Sequence, residues 1–260
     1  MSDHEGIWIE VGDGVARVVL DHQPSRNSLD LATIDHLIAV FDALGSRSDA
    51  DVIVLGHEGP AFSAGHDLRE MTDRDLAFYE KLFDRCTVLM QTLHTLPQPV
   101  IARVDGVATA AGCQLVASCD LVVASDRSTF ATPGVRIGLF CSTPMVALSR
   151  SIGAKRALQM LLTGEPVDAA TAADWGLVNT VVAPDALIPT VDELTRQLRQ
   201  FSPHTIGLGK RAFYEQIELS ESAAYDHTRD VMSRNAADPV AAEGIRAFLD
   251  KRDPAWPPPS

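Results

Sequence analysis

The sequence predicts an α/β fold, and three observations carry the prediction. Short β-branched runs bounded by Gly, Asp or Ser recur through the first part of the chain. Segments with apolar residues at helical spacing separate them, and strands alternating with helices are the signature of an α/β domain. The 260 residues are 46% hydrophobic and 22% charged, with a mean hydropathy of +0.04, which is ample material for a buried core.

Taken in order, residues 15–20 (VARVVL) and 51–55 (DVIVL) read as strands buried on both faces. Between them, residues 29–44 place Leu29, Ile34, Leu37, Ile38, Phe41 and Leu44 on one helical face, and residues 75–96 repeat the pattern. Residues 100–102 and 121–124 are two further apolar strands. From residue 185 the pattern turns helical, with segments 187–201, 206–217, 220–234 and 239–250 separated by Ser202-Pro203 and Asp238-Pro239. This tail is a candidate second module. Its last helix ends on the cations Lys251 and Arg252, and the prolines at 257–259 predict an extended terminus.

Charge and cysteine content narrow the function classes. The 22 Lys+Arg against 35 Asp+Glu give a net charge of −13, unsuited to a general nucleic-acid binder, which needs basic surface against phosphate. No apolar run approaches the roughly 18–20 residues of a membrane helix. The acidic start Met1-Ser2-Asp3-His4-Glu5 lacks the layout of a signal peptide, so the cytoplasm is the expected compartment. Cys86, Cys113, Cys119 and Cys141 form no CxxC pair and no zinc-type spacing, which predicts reduced, buried thiols and no metal site.

Two small-residue segments carry the chemistry. Residues 59–68 (GPAFSAGHDL) follow a strand and precede a helical stretch, and residues 104–115 (VDGVATAAGCQL) repeat that arrangement after strand 100–102. Such turns aim free backbone N–H groups at a ligand, and two of them can converge on one oxygen. For the first alone, a tight turn in which Gly65 merely permits an unusual backbone angle is an equal reading.

Together these segments resemble the crotonase superfamily, the enoyl-CoA hydratase/isomerase family, whose pattern runs F-x-A-G-x-D, then N/D-G-x-A-x-G-G-G, then C-D. Here those are Phe62 to Asp67, Asp105 to Gly112, and Cys119-Asp120. The resemblance continues through residues 130–133 and Gly138, through 157–164 and through 172–178, so it spans nearly the whole chain. It implies a spiral core of ββα units of the ClpP-like kind over residues 1–200. A C-terminal helical region over 201–260 would pack a homotrimer, or a hexamer built as a dimer of trimers. The implied ligand is an acyl-CoA or enoyl-CoA thioester, with coenzyme A present as part of the substrate and no permanently bound cofactor.

By position, the N–H groups of His66 and Ala111 would form the oxyanion hole that holds the thioester carbonyl. The family's two catalytic glutamates fall on Gln114 and Gly134, and a third acid position falls on Ser142. Gln cannot exchange a proton near neutral pH and Gly has no side chain, so ordinary hydration is not expected. Candidate replacements are the His66 imidazole and a Cys141 or Ser142 nucleophile for thioester hydrolysis; a non-catalytic acyl-CoA binder is the rival reading. The resemblance puts coenzyme A contacts at Arg26, Ser28, Leu29, Ala64, Asp67 and Leu68. Gly112 and Pro133 would be substrate-binding, Leu139 would border the acyl pocket, and Phe248 and Lys251 would reach coenzyme A across the trimer interface. Asp67 is expected to order its turn and cap the following helix, and Asp120 to be structural.

Overall fold

The computed structural model describes residues 6–257, so the acidic start and the last prolines, Pro258 and Pro259, lie outside the described residues. Strands β1 (Ile7–Gly12) and β2 (Gly14–Leu20) form an antiparallel hairpin, and helix α1 (Leu31–Gly45) follows. Three strand pairs come next: β3 (Ala50–His57) with β4 (Ala61–Ser63), β5 (Val100–Val104) with β6 (Val107–Thr109), and β7 (Leu121–Ser125) with β8 (Thr129–Ala131). Helix α2 (Leu76–Thr95) separates the first pair from the second, and α3 (Ala111–Ser118) the second from the third.

The first strand of each pair joins one parallel sheet and the second joins another. β3, β5 and β7 lie side by side in the larger sheet, while β4, β6 and β8 lie side by side in the smaller. Each ββα unit therefore makes one turn of a spiral, with a two-strand corner between the sheets. Helices α4 (Pro144–Ser151), α5 (Ala154–Thr163) and α6 (Ala169–Trp175) follow, with β9 (Val167–Asp168) closing the small sheet and β10 (Thr180–Val182) the large one. The chain ends in α7 (Leu187–Leu198), α8 (Pro203–Gln216), α9 (Glu221–Ala236) and α10 (Pro239–Asp250).

Local sequence explains where the helices start. Asp30 and Asp75 each accept a hydrogen bond from the backbone N–H three residues on, at 2.7 and 2.9 Å, capping α1 and α2. Pro203 and Pro239 occupy first-turn positions, where a missing N–H costs nothing. The large sheet is covered on one face by α1, α2 and α3, whose Ile34, Leu37, Phe41, Leu82, Leu89 and Leu115 are fully buried. On its other face Val15, Val52, Val54, Ile101 and Val123 meet Leu187 and Val191 of α7. That helix belongs to the sheet's second layer, so the module expected from residue 185 starts only after it.

The rest of the tail docks through polar anchors. The Lys210 ammonium, on α8, pairs with Asp120 at 2.6 Å and donates to the carbonyls of Leu93 and Gln98 at 2.8 Å each. Asp120 also accepts from the Val100 N–H and the Tyr214 hydroxyl, which is the structural role expected of it. α9 buries none of its side chains, and Phe213, Ile217, Tyr225, Met232, Ile245 and Phe248 are exposed along α8–α10. Among the described residues, no helix is long and apolar enough to cross a membrane.

Candidate active site

β4 and β6 are parallel neighbours in the small sheet, and what leaves their ends builds the site. After Ser63 the chain turns through Ala64 and Gly65 to His66, with the Ser63 hydroxyl accepting from the Gly65 N–H at 3.1 Å. After Thr109 it passes through Ala110 directly into α3. Two glycines let these turns touch. Gly65 has φ +85°, and a Cβ there would lie 2.8 Å from the Ala110 methyl and 3.1 Å from the Ala111 nitrogen. A Cβ at Gly112 would lie 2.4 Å from the Ser63 carbonyl oxygen. Gly112, expected at the substrate, is thus a close-packing position against β4.

The contact sets two backbone donors side by side. His66 bridges Leu29 in parallel register, but the bond runs from the Leu29 N–H to the Gly65 carbonyl at 2.8 Å and leaves His66's own N–H unused. Ala111 is the first residue of α3, so its N–H has no intrahelical acceptor. Neither N–H makes a hydrogen bond among the described residues. Between them Ala110 sits at φ 51°, ψ −120°, a conformation that favours glycine, held by its N–H donating to the Ala131 carbonyl at 2.9 Å. This is a pair of free donors on a locally strained support.

His66 and Ala111 both line a cavity of about 410 Å³. Ala64, His66, Leu68, Ala111, Pro133, Gly134 and Leu139 all line it. The pattern also missed Phe83 and Met71, which α2 and the turn before it contribute, and Arg136, which is ion-paired with Glu165. Phe83 was legible only as an apolar residue of a helix; nothing local in the sequence says that it faces the site.

The titratable side chains on the cavity wall are His66, Arg136 and Cys141. The His66 Nδ1–H donates to the Leu29 carbonyl at 3.2 Å, which leaves the lone pair on Nε2. Nε2 is buried without a partner among the described residues, the ring stands edge-on to Phe83 at 5.5 Å, and burial lowers its pKa below the ordinary histidine value. The Cys141 thiol is pushed up by burial and so stays protonated. Ser142 is exposed, its hydroxyl meets only the Phe140 carbonyl at 3.4 Å, and no histidine or carboxylate partners it among the described residues. Neither side chain has the activating base a nucleophile needs.

The two glutamate positions have different fates. Gly134 lines the cavity, but a Cβ there would meet the Leu139 carbonyl oxygen at 2.0 Å and the Cys141 sulfur at 2.8 Å, so another stretch of backbone fills the side-chain space. Gln114 is only 4% exposed and lies outside this cavity, on the wall of its neighbour, with its Oε1 unpartnered among the described residues. Hence the two positions line different cavities.

The remaining candidates spread out. Arg26 is exposed and Leu29 fully buried; the 26–29 segment runs beside the first turn, with the Ala64 N–H donating to the Arg26 carbonyl at 3.0 Å. Asp67 accepts from the Arg69 N–H at 2.8 Å and orders a run of turns, but it caps no helix: α2 begins at Leu76 and its cap is Asp75. The first segment therefore does not lead directly into a helix, whereas the second does. Phe248, 83% exposed, and Lys251, with φ 54° at the end of α10, lie away from the cavity wall.

Similarity to known proteins agrees with this architecture. The family model described as enoyl-CoA hydratase/isomerase matches residues 10–258. The human enoyl-CoA hydratase domain-containing protein 3, mitochondrial, is 44% identical over 247 residues, covering 94% of this chain and 82% of the relative. The 2,3-dehydroadipyl-CoA hydratase of Escherichia coli K12 is 32% identical over 241 residues, covering 92% and 94%. Among solved structures, an enoyl-CoA hydratase of Mycobacterium smegmatis superposes with a TM-score of 0.95 at 44% identity, covering 97% of this chain and 99% of that one. The human relative's name places it in mitochondria, which differs from the cytoplasm expected here from the acidic start. With the ββα spiral, the matched motifs and these relatives in agreement, the chain belongs to the enoyl-CoA hydratase/isomerase family of the crotonase superfamily.

Proposed function

We propose that the protein binds an acyl-CoA thioester and polarises its carbonyl through the N–H groups of His66 and Ala111. The observation that carries this reading is the pair of unpartnered N–H groups held together by the Gly65 and Gly112 contacts. Two fixed donors at the cavity wall stabilise the negative charge that grows on a thioester oxygen when C2 becomes enolate-like. Losing one such donor typically costs about 10² to 10³ in rate. The reaction class is that of the family, hydration or isomerisation of an enoyl-CoA. Its proton transfers would not use the usual carboxylates, because the chain has Gln114 and Gly134 in their places. His66 Nε2 is the wall group that carries a lone pair near neutral pH.

The second reading is a binder that retains the hole without turnover, favoured by the same two positions and by the protonated Cys141. Arg26, Phe248 and Lys251 would serve the phosphate and adenine end of coenzyme A, the last two from a neighbouring subunit. The exposed apolar residues of α8–α10 support a homo-oligomer. The test is loss of enoyl-thioester absorbance from crotonyl-CoA, with calorimetric binding measured on the same protein. Binding with slow or no loss supports the reading, rapid loss that survives His66→Ala would show an unrecognised acid–base pair, and no binding would overturn the reading.

A further inference from the structure

A second cavity of about 610 Å³ lies end to end with the first. Two helices show the alignment. On α2, Phe83 lines the first cavity and Thr87 the second; on α3, Ala111 lines the first and Gln114 the second. Each step is about one helical turn, about 5.4 Å. Thr143 borders both cavities. The wall of the second carries apolar side chains, Met90, Val146, Phe213 and Ile217, beside the charged Arg150 and Glu218, and its apolar part is suited to an alkyl chain.

Gln114 lines the second cavity one turn beyond Ala111 of the first, buried, with its amide oxygen unpartnered among the described residues. An amide oxygen that makes no hydrogen bond does not anchor its side chain, so packing alone keeps the wall in place. We propose that Gln114 and Thr143 partition one acyl channel, and that this partition sets the acyl chain length the protein takes. Gln114 is then a specificity-determining residue rather than a proton carrier. The inference rests on the thioester reading above: the acyl group starts at the His66–Ala111 donors, fills the first cavity and stops at the partition.

The test is calorimetric affinity for saturated CoA thioesters from butyryl to dodecanoyl, with the native chain, Gln114→Ala and Thr143→Ala. Affinity should rise about fourfold per added methylene until the first cavity is filled and then level off. In both alanine variants the levelling should move outward by several carbons. A native chain that keeps gaining to dodecanoyl overturns the partition, and so does an unchanged limit in the variants. If one variant loses its cooperative thermal transition, the other carries the comparison. Gln114→Leu, which keeps the volume without the amide, should keep the native limit. Failure of the thioester reading itself looks different: the native chain then binds none of the series.

Discussion

Small residues shape the surroundings of the cavity at two places, with opposite consequences. Where Gly65 and Gly112 meet Ser63 and Ala111, the missing side chains let one backbone approach another and leave two N–H groups free. At Gly134 the missing side chain is replaced by the Leu139 carbonyl, so an acid position becomes plain wall. The first arrangement is braced by strands β4 and β6; the second rests on a stretch at 138–143 that belongs to no strand and exposes Leu139, Phe140 and Ser142. The donor pair is therefore built on strands of the spiral, whereas the space a side chain at 134 would fill is taken by a segment outside the strands. Loss of the acids can thus coexist with retention of the donors.

The sharpest way to break this contrast is to add a methyl group on each side. Gly112→Ala puts a Cβ 2.4 Å from a strand carbonyl that cannot move, and should destabilise the fold by about 3 kcal/mol or more. Gly134→Ala meets an even closer backbone carbonyl, and should cost less, about 1–2 kcal/mol, through a shift of residues 138–143, which no strand holds. Chemical denaturation of the two variants tests the ranking, and equal losses would remove the distinction between the two sides.

Acid should also separate the two sides. His57, at the end of β3 behind the hole, accepts the Asp105 N–H on Nε2 at 2.9 Å and packs edge-on to Phe62; burial first, and then Arg103, lower its pKa from 6.5 to about 4. The unfolded chain binds that proton near pH 6.5 and the folded chain only near 4. Stability is therefore full above pH 6.5 and falls as pH drops toward 4, by about 3 kcal/mol if His57 acts alone. Removing the imidazole in His57→Gln should flatten this slope. A slope unchanged by the substitution would place the acid sensitivity elsewhere.

The smallest expected effect has the opposite sign. Ala110 holds a backbone conformation that favours glycine, so Ala110→Gly should stabilise the fold by about 1 kcal/mol, the relieved strain exceeding glycine's entropic cost. A thermal midpoint raised by a few degrees would bear this out; a lowered one would show that the methyl group packs usefully.

Periodicity made the elements legible. The helices expected at 75–96 and 239–250 appear as Leu76–Thr95 and Pro239–Asp250, because apolar spacing and capping residues are local signals. The two N–H-presenting turns were legible for the same reason, as small residues after strands. What the pattern could not carry was direction. Gln114 and Ala111 are one turn apart on α3 yet line different cavities, and the Leu139 carbonyl comes to Gly134 through a loop with no periodicity. Asp67 resembled a helix cap by residue type alone, although the helix starts only at Leu76.

The most direct test of the central claim is the infrared carbonyl band of an isotope-labelled butyryl-CoA thioester, free and bound. Two fixed donors on one oxygen predict a clear shift of that band to lower frequency on binding, with the shift retained in Gly134→Ala. A bound thioester whose carbonyl band stays at its solution position would contradict the account.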